Sequence, residues 1–305
     1  MDHKKPIVGL VLFVLGLLTL TAPPTAAAPT SGPVVNGAVE NGPVENGAVV
    51  KGAAGAPGAQ RARPSPKLFK GFAFDTCTAP PLSTMAAWHS ASNYRAVGVY
   101  YGGRGRHCKT QPHLSKTWLR SVRNMGWRVL PLYVGSQPPC VIAKNKKGVR
   151  IGNDPVAQGR TEGRDAARRA AAHGILDGSP LYLDIEGYDL RDAKCKARTL
   201  DFIRSWNRTV RGRGYVTGFY SSADSGITHM EASRLAGVRD LPEAVWFARW
   251  RGGKPNLNKE PVFAPGAWYP NRRIHQYRGN VKERHGGHTL LIDRNLVDAP
   301  VARIG

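Results

Sequence analysis

Acidic residues are scarce in this chain of 305 residues. It contains 21 Asp and Glu against 44 Lys and Arg, which gives a formal net charge of +23. Residues 1–66 hold only 5 of the basic and 3 of the acidic residues, so the positive excess lies on residues 67–305. This charge suits polyanionic surroundings such as anionic cell-wall polymers, anionic lipid or extracellular nucleic acid, and an ordinary solvated basic surface explains it equally well.

Several motifs of catalysis and binding are also missing from the sequence. It has no phosphate-binding loop, no Gly-x-Ser-x-Gly nucleophile elbow and no His-Glu-x-x-His zinc motif. Residues 102–105 are glycine-rich and follow a predicted strand, but they lack the dinucleotide-binding fingerprint. No helix-turn-helix, ribonucleoprotein signature or Cys/His finger is visible. We therefore expect no metal, no cofactor and no specific nucleic-acid partner.

The sequence has one long apolar run, over residues 7–20, which follows Lys4 and Lys5 and precedes the small residues 25–28. This order is typical of a secretory signal peptide, and the run is shorter than the roughly 20 residues that span a bilayer. We expect a signal peptide over residues 1–28 with cleavage near Ala28, and an uncleaved anchor is the alternative. The mature protein is then secreted, extracellular or associated with the cell wall, with no membrane span.

Residues 29–66 contain no aromatic residue and repeat a short Asn-Gly unit, as in Asn36-Gly37, Asn41-Gly42 and Asn46-Gly47. Such a segment cannot bury enough apolar surface to offset the entropy lost on ordering its backbone. We interpret it as a disordered low-complexity linker, which leaves residues 67–305 as the folded domain.

Only four cysteines occur, and all of them belong to the exported domain: Cys77, Cys108, Cys140 and Cys195. Their number is even and no two have the spacing of a zinc finger, so two disulfides are favoured over a metal site. Three connectivities are possible.

Short apolar runs typical of strands alternate with helical patterns over the first two thirds of this domain. Strands are predicted at residues 68–75, 95–101, 128–134, 181–186, 215–221, 244–250, 273–277 and 289–293. Helices are predicted at residues 82–90, 113–124, 158–173 and 197–211, with a weaker one at 228–236.

This pattern predicts an α/β fold, a TIM-like β/α barrel. Near-continuously apolar strands suit a parallel sheet covered by helices, and eight of them in about 240 residues match the size of a closed barrel. The last three strands are separated by sequence rich in Gly and Pro, so we expect five β/α units followed by three strands without regular helices. An open doubly wound sheet is the rival architecture.

Reactive groups of a β/α barrel gather where the strands end. The carboxylates at predicted strand ends are Asp75, Asp184, Glu186 and Asp293. The other side chains there are Tyr101, Tyr133, Tyr220, Arg249, Trp250, Gln276 and Tyr277. Four carboxylates at these positions, in a domain that contains few acids, suggest a functional centre.

Asp184 and Glu186 are two residues apart on one strand, so both side chains point to the same face. Two carboxylates in one cavity can perform glycoside hydrolysis, because one ionised group raises the pKa of the other and allows it to protonate a leaving oxygen. The Asp-x-Glu motif alone more often indicates a solvated or metal-binding surface. Its position at the end of a strongly apolar strand favours chemistry.

Six segments of the sequence occur in an order and at strand positions shared with a known group of barrels: residues 71–77, 182–186, 218–221, 245–250, 275–277 and 292–295. Through these segments the sequence resembles the family 25 lysozyme-like barrels, and more closely the secreted bacterial glycoside-hydrolase-like domain family that is similar to those muramidases. The resemblance implies Glu186 as the general acid and Asp184 as its partner, with Asp75 and Asp293 as supporting carboxylates. It also implies a groove for sugar rings, lined by Tyr101, Tyr133, Tyr220, Trp246, Gln276 and Tyr277.

The barrel order selects one cysteine connectivity. Cys77 and Cys108 fall in loops after adjacent strands, as do Cys140 and Cys195, so we predict the bonds 77–108 and 140–195. The partner we expect is a cell-wall polysaccharide of peptidoglycan type, with anionic wall polymers as a further ligand, and we expect a monomer. Because Cys77 and the Pro80-Pro81 pair depart from the muramidase pattern, a catalytically inactive barrel that binds wall glycan is the alternative.

Overall fold

The structure is a computed structural model, and it describes residues 63–252 and 254–305. The predicted signal peptide and nearly all of the predicted linker lie outside these residues. The described chain begins slightly before the predicted domain boundary, and its Arg63 donates hydrogen bonds to the carboxylate of Glu243.

The described residues form eight strands and five α-helices. The strands are β1 (Lys67–Asp75), β2 (Tyr94–Gly102), β3 (Arg128–Val134), β4 (Pro180–Asp184), β5 (Val216–Ser222), β6 (Ala244–Ala248), β7 (Arg273–His285) and β8 (His288–Val301). The helices are α1 (Leu82–Ala91), α2 (Lys116–Asn124), α3 (Pro155–Ala172), α4 (Ala193–Arg211) and α5 (Thr228–Leu235). A 3₁₀-helix at Lys144–Val149 and a π-helical turn at Ala223–Ile227 complete the regular structure.

The strands close into a barrel in the order β1 to β8, which confirms the predicted fold. Each of the first five strands is followed by a helix, and the described residues between β6 and β7 contain none, as predicted. Neighbours from β1 to β7 are parallel. β8 is antiparallel to both β7 and β1, because a tight hairpin turn at Gly286 and Gly287 reverses the chain and no crossover is needed.

The prediction was too short for β7 and β8. Beyond Gln276 the residues of β7 alternate between exposed and half-buried positions, because the two strands continue past the barrel as a two-stranded ribbon. The prediction for β7 covered its buried part, whereas the prediction for β8 covered the ribbon side and missed residues 294–301, which pair with β1 in the barrel.

Helix starts follow from capping residues. The Ser115 side chain accepts a hydrogen bond from the N–H of Trp118 at the start of α2, and Asp154 and Asp192 cap α3 and α4 in the same way. These caps satisfy N–H groups that have no partner within the helix. They explain why α3 and α4 begin three to four residues before the predicted starts, which were read from apolar spacing alone.

Two apolar layers cover the outer and inner faces of the barrel wall. The outer layer packs between strands and helices and includes Phe74, Trp88 and Trp206, all fully buried. The inner layer fills the barrel and includes Tyr182 and Trp246. The interior of the barrel is therefore a packed core.

The cysteines form the bonds Cys77–Cys108 and Cys140–Cys195, which are the predicted pairs. Cys195 lies in the first turn of α4, and the other three cysteines lie in loops. Both bonds tie segments at the same end of the barrel. In the part of the chain that the structure describes, no helix has the length and apolar character needed to cross a membrane.

Candidate active site

A cavity of about 410 Å³ opens at the carboxyl end of the barrel strands. Its lining includes all four predicted carboxylates, Asp75, Asp184, Glu186 and Asp293, which we call the acidic centre. Asp75 and Asp184 end β1 and β4, Glu186 follows β4 by two residues, and Asp293 lies within β8 opposite Asp75. The closure of the barrel brings these strands around one opening. The prediction that the four groups share one site therefore agrees with the geometry.

Asp75 lies at the floor of the cavity and is 1% exposed. Its carboxylate accepts hydrogen bonds from Tyr100 Oη at 2.7 Å, Asn295 Nδ2 at 2.8 Å and Gln276 Nε2 at 3.2 Å. Burial, with the nearby charge of Asp293, raises the pKa of Asp75 to about 7, although the three hydrogen bonds oppose the shift. Asp75 therefore titrates near neutral pH.

The backbone makes room for this buried group at Gly98. A Cβ atom on Gly98 would lie 2.6 Å from the Asp75 Cβ and 3.1 Å from the Trp246 ring. A larger residue on β2 would displace the floor of the cavity.

Asp293 faces Asp75 across Gln276, whose Nε2 lies 3.3 Å from Asp293 Oδ2. The Asn280 N–H donates to Asp293 Oδ1 at 2.6 Å. Burial raises the pKa of Asp293, the Asn280 hydrogen bond opposes the rise, and the charge of Glu186 adds to it. Gln276 thus connects two carboxylates, and its Oε1 accepts from the Tyr220 hydroxyl at 2.9 Å.

Asp184 and Glu186 differ in their surroundings. Asp184 is 4% exposed, and its Oδ1 has no hydrogen-bond partner among the described residues. Burial, and then the charge of Glu186, raise the pKa of Asp184 well above its usual value, whereas Lys146 acts in the opposite direction. The Glu186 side chain is 33% exposed, and its Oε1 lies 3.6 Å from Lys146 Nζ.

Gln137 fixes the main chain that carries both residues. Its Oε1 accepts from the Glu186 N–H at 2.8 Å, and its Nε2 donates to the Asp184 carbonyl at 3.0 Å. The carboxylates of Asp184 and Glu186 are therefore held at the cavity by a buried amide from the loop after β3.

Strand alternation contradicts three of the predicted groove residues. Tyr101 and Tyr133 point outward into the layer beneath the helices, where the Tyr133 hydroxyl donates to Asp165 on α3 at 2.9 Å. Tyr277 also points away from the cavity and lies near Glu283 and Arg294. Each was chosen because it lies at or near the end of a predicted strand. Successive side chains of a strand point to opposite faces, and for each of these tyrosines the preceding residue is the one that points inward.

The remaining groove predictions fall at two depths. Tyr220 lines the cavity, and Gln276 lies directly beneath it, bonded to two of the lining carboxylates. Trp246 is fully buried below the floor, where its Nε1 donates to Asn295 Oδ1 at 2.7 Å. It supports the site and is not part of the groove surface.

Several lining residues were not among the predicted site residues. Tyr100 could have been found from the alternation of β2, since it is two residues beyond Gly98 on the inner face. Trp250 was noted at a strand end and lines the mouth of the cavity, where its indole covers Gly279 so closely that a Cβ atom there would lie 2.2 Å away. Lys146 and Arg106 come from loops, and no spacing in the sequence indicates that they meet there.

One group of metal-type ligand atoms occurs among the described residues, at Cys140, Asp192 and Cys195. The two cysteines are joined in a disulfide, so neither sulfur is a thiolate that could bind a metal ion.

Comparisons with known proteins agree with this architecture. Residues 86–297 match the model of the Rv2525c-like, glycoside hydrolase-like domain. The Mycobacterium tuberculosis Tat-secreted protein Rv2525c, solved in complex with L-tartrate, is 16% identical with a TM-score of 0.53, and the match covers 76% of this chain and 99% of that one. No curated protein matches the chain.

Two cell-wall lytic enzymes are also among the similar structures. The modular autolysin LytC from Streptococcus pneumoniae is 13% identical with a TM-score of 0.46, and the match covers 76% of this chain and 46% of that one. The spore cortex lytic enzyme SleM from Clostridium perfringens is 10% identical with a TM-score of 0.45, with coverage of 75% and 67%. Since the family model spans more than half of the sequence, the chain belongs to the family of Rv2525c-like, glycoside hydrolase-like domains.

Proposed function

We propose that the protein is a secreted glycoside hydrolase that cleaves N-acetylated cell-wall glycan of peptidoglycan type. The observation that carries this proposal is the pair Asp184 and Glu186, at the end of β4 and two residues beyond it, which line one cavity with Asp75 and Asp293. Burying several carboxylates together is costly, and glycoside hydrolysis is a reaction that uses such an arrangement. The signal-peptide pattern at the N-terminus supports secretion.

Glu186 is the general acid in this proposal, because it is the more accessible of the pair and can reach a glycosidic oxygen in the cavity. It transfers its proton to that oxygen as the bond to the anomeric carbon breaks, and the leaving sugar departs as an alcohol. Water then adds its hydroxyl to the anomeric carbon and returns a proton to Glu186.

Asp184 stabilises the positive charge that develops on the sugar ring or orients the N-acetyl group of the substrate. Its Oδ1 is buried and has no partner among the described residues, and Asp184 lines the cavity, so a rotation of the carboxyl group can turn an oxygen toward an amide N–H of the substrate. Asp75 and Asp293, joined through Gln276, line the same cavity. Tyr220 and Trp250 offer aromatic faces to the apolar faces of sugar rings.

One observation favours the second candidate, a catalytically inactive barrel that binds wall glycan or anionic wall polymers. The Lys146 ammonium lies 3.6 Å from Glu186 and places a buried positive charge in the cavity, which suits an anionic wall polymer. Binding to cell walls without release of reducing ends would support this candidate.

The test is a reducing-end assay on several wall polysaccharides, with the wild type and Glu186→Gln in parallel. We expect the variant to lose hydrolysis by about 100-fold or more. Asp201→Asn is the matched control, because it removes a carboxylate on α4 that is 48% exposed and lies outside the cavity. Hydrolysis by Glu186→Gln at the wild-type rate would overturn the assignment.

A further inference from the structure

The cavity has a basic side as well as an acidic one. Lys146, from the 3₁₀-helix after β3, and Arg106, from the loop after β2, both line it, and we call these two residues the basic wall. The two loops are joined at this point, since Lys146 Nζ donates to the Gly105 carbonyl at 2.9 Å. The disulfides Cys77–Cys108 and Cys140–Cys195 brace the same loops.

Lys146 is unusual because its side chain is only 8% exposed and yet ends in a charged group. Among the described residues its ammonium has one hydrogen bond, to Gly105, and an ion pair with Glu186 at 3.6 Å, which is too long for a hydrogen bond. An ammonium has three N–H donors, so this group retains donor capacity beside the cavity. Buried charges are normally paired and fully hydrogen-bonded.

Arg106 is the second cation of the basic wall. Its guanidinium donates to the carbonyls of Tyr100 at 3.2 Å and Gly103 at 3.4 Å. No carboxylate of the described residues lies within ion-pair distance of it, and the charges that act on it from further away are those of Arg169 and Asp165 on α3, which oppose each other. Lys146 and Arg106 thus share one wall of the cavity, and the long ion pair of Lys146 with Glu186 is the one carboxylate contact described for the two. Such a wall matches a ligand of opposite charge.

The negative charge of the acidic centre does not neutralise the positive charge of the basic wall. Burial raises the pKa of Asp75 to about 7 and that of Asp184 well above its usual value, so these groups carry less negative charge near neutral pH than their number suggests. A neutral sugar has only hydroxyl and amide groups and needs no buried cation for its recognition.

We propose that the basic wall is an anion subsite, and that the sugar unit bound in this cavity carries a carboxylate or a phosphate group. This inference rests on the proposed function and adds the substrate class to it. The anionic group pairs with Lys146 and Arg106, which both line the cavity beside Glu186.

The experiment measures equilibrium binding of three matched probes to the whole protein at fixed ionic strength. The probes are a β-1,4-linked N-acetylglucosamine hexamer with a carboxylate on alternate rings, the same hexamer with phosphate there, and the methyl ester of the carboxylate form as the uncharged control. We expect at least one charged probe to bind about 10-fold more tightly than the ester. The arm that shows the preference identifies carboxylate or phosphate as the natural group.

Lys146→Gln should abolish this preference, and Lys146→Arg should keep it. Lys147→Gln is the matched control, because Lys147 belongs to the same 3₁₀-helix but is exposed and outside the cavity, and the variant loses the same charge from a strongly basic protein. Thermal unfolding of each variant shows whether it is folded. If Lys146→Gln does not fold, Lys146→Met replaces it.

Equal binding of all probes by the wild type, or no binding of any of them, overturns the subsite. A preference that survives in Lys146→Gln, or that falls equally in Lys147→Gln, also overturns it and attributes the effect to the general basic surface. A preference without release of reducing ends leaves the subsite intact and contradicts only the hydrolase. Hydrolysis without preference contradicts only the subsite.

Discussion

The inner and outer faces of the barrel wall have different tasks, although their residues alternate along the same strands. At the end of β1, Asp75 points inward and accepts three hydrogen bonds, whereas Phe74 points outward and packs against aromatic rings. At the end of β2, Tyr100 reaches the acidic centre and Tyr101 lies beneath the helices. One step along a strand thus separates a residue of the site from a residue of the core, and substitutions of neighbours should affect different measurements.

Phe74→Ala tests the outer face. Phe74 is fully buried against Trp88, Tyr94 and Trp127, with ring centroids 5.0–5.6 Å away. The substitution leaves a cavity in the outer layer and should lower the free energy of unfolding by about 3–5 kcal/mol, measured by urea denaturation. Glycan hydrolysis by the fraction that remains folded should stay near the wild-type rate. A loss below about 1 kcal/mol would contradict the packing role.

Asp75→Asn tests the inner face at the neighbouring position, through pH. Because folding raises the pKa of Asp75 from 3.8 to about 7, its contribution to stability is complete below pH 3.8 and is lost as the pH rises through 7. The loss is on the order of 4 kcal/mol, and Asn does not titrate. The free energy of unfolding of the variant minus that of the wild type should therefore increase between pH 4 and pH 8, and a difference that is constant with pH would refute the assignment.

Asp184→Asn should separate stability from function most clearly. Burial raises the pKa of Asp184, so the wild type loses stability as the pH rises above the unfolded value, and the neutral amide avoids this loss. At pH 7 the variant should be more stable by about 1 kcal/mol or more, and hydrolysis should fall by about 100-fold. The thermal midpoint should show the gain at pH 7 and no gain near pH 3. If Asp184→Asn were less stable than the wild type at pH 7, the result would contradict the raised pKa of the buried Asp184 carboxyl group.

Tyr100→Phe and Tyr101→Phe form the subtlest pair. The first removes a 2.7 Å hydrogen bond to Asp75, so the free energy of unfolding should fall by about 1 kcal/mol and hydrolysis should decrease. The second removes a buried hydroxyl that has no partner among the described residues, so stability should rise by about 1 kcal/mol with hydrolysis unchanged. Denaturation curves and reducing-end rates check both. If Tyr101→Phe lost stability and hydrolysis while Tyr100→Phe did not, the distinction between the two faces would be contradicted.

The same alternation explains what the sequence could and could not predict. Apolar runs and helical spacing predicted the barrel and its five helices, because both patterns reflect burial. Asp184 and Glu186 were predicted to share a face from their two-residue spacing. The tyrosines 101, 133 and 277 were chosen from their position near a strand end without regard to which face of the strand they occupy, so these three predictions fall on the outer side of the wall.

Loop residues could not be predicted from local patterns. Lys146 reaches the cavity because the Cys140–Cys195 bond, and the bridge between Gln137 and Arg150, fold its loop over the barrel end. These contacts join residues that are distant in sequence, so the local pattern of apolar and polar residues does not predict them. The ribbon part of β7 was missed for a related reason, since its residues pair with β8 and are not buried in the core.

The central claim is that the inner face at the strand ends performs glycan hydrolysis through Glu186 while the outer face maintains the fold. The most direct test measures reducing-end release and the free energy of unfolding on the same preparation of Glu186→Gln. Since the Glu186 side chain is 33% exposed and its ion pair with Lys146 is long, at 3.6 Å, we predict that release falls by about 100-fold or more, while the free energy of unfolding falls by no more than about 1 kcal/mol. Release at the wild-type rate from the folded variant would contradict the claim.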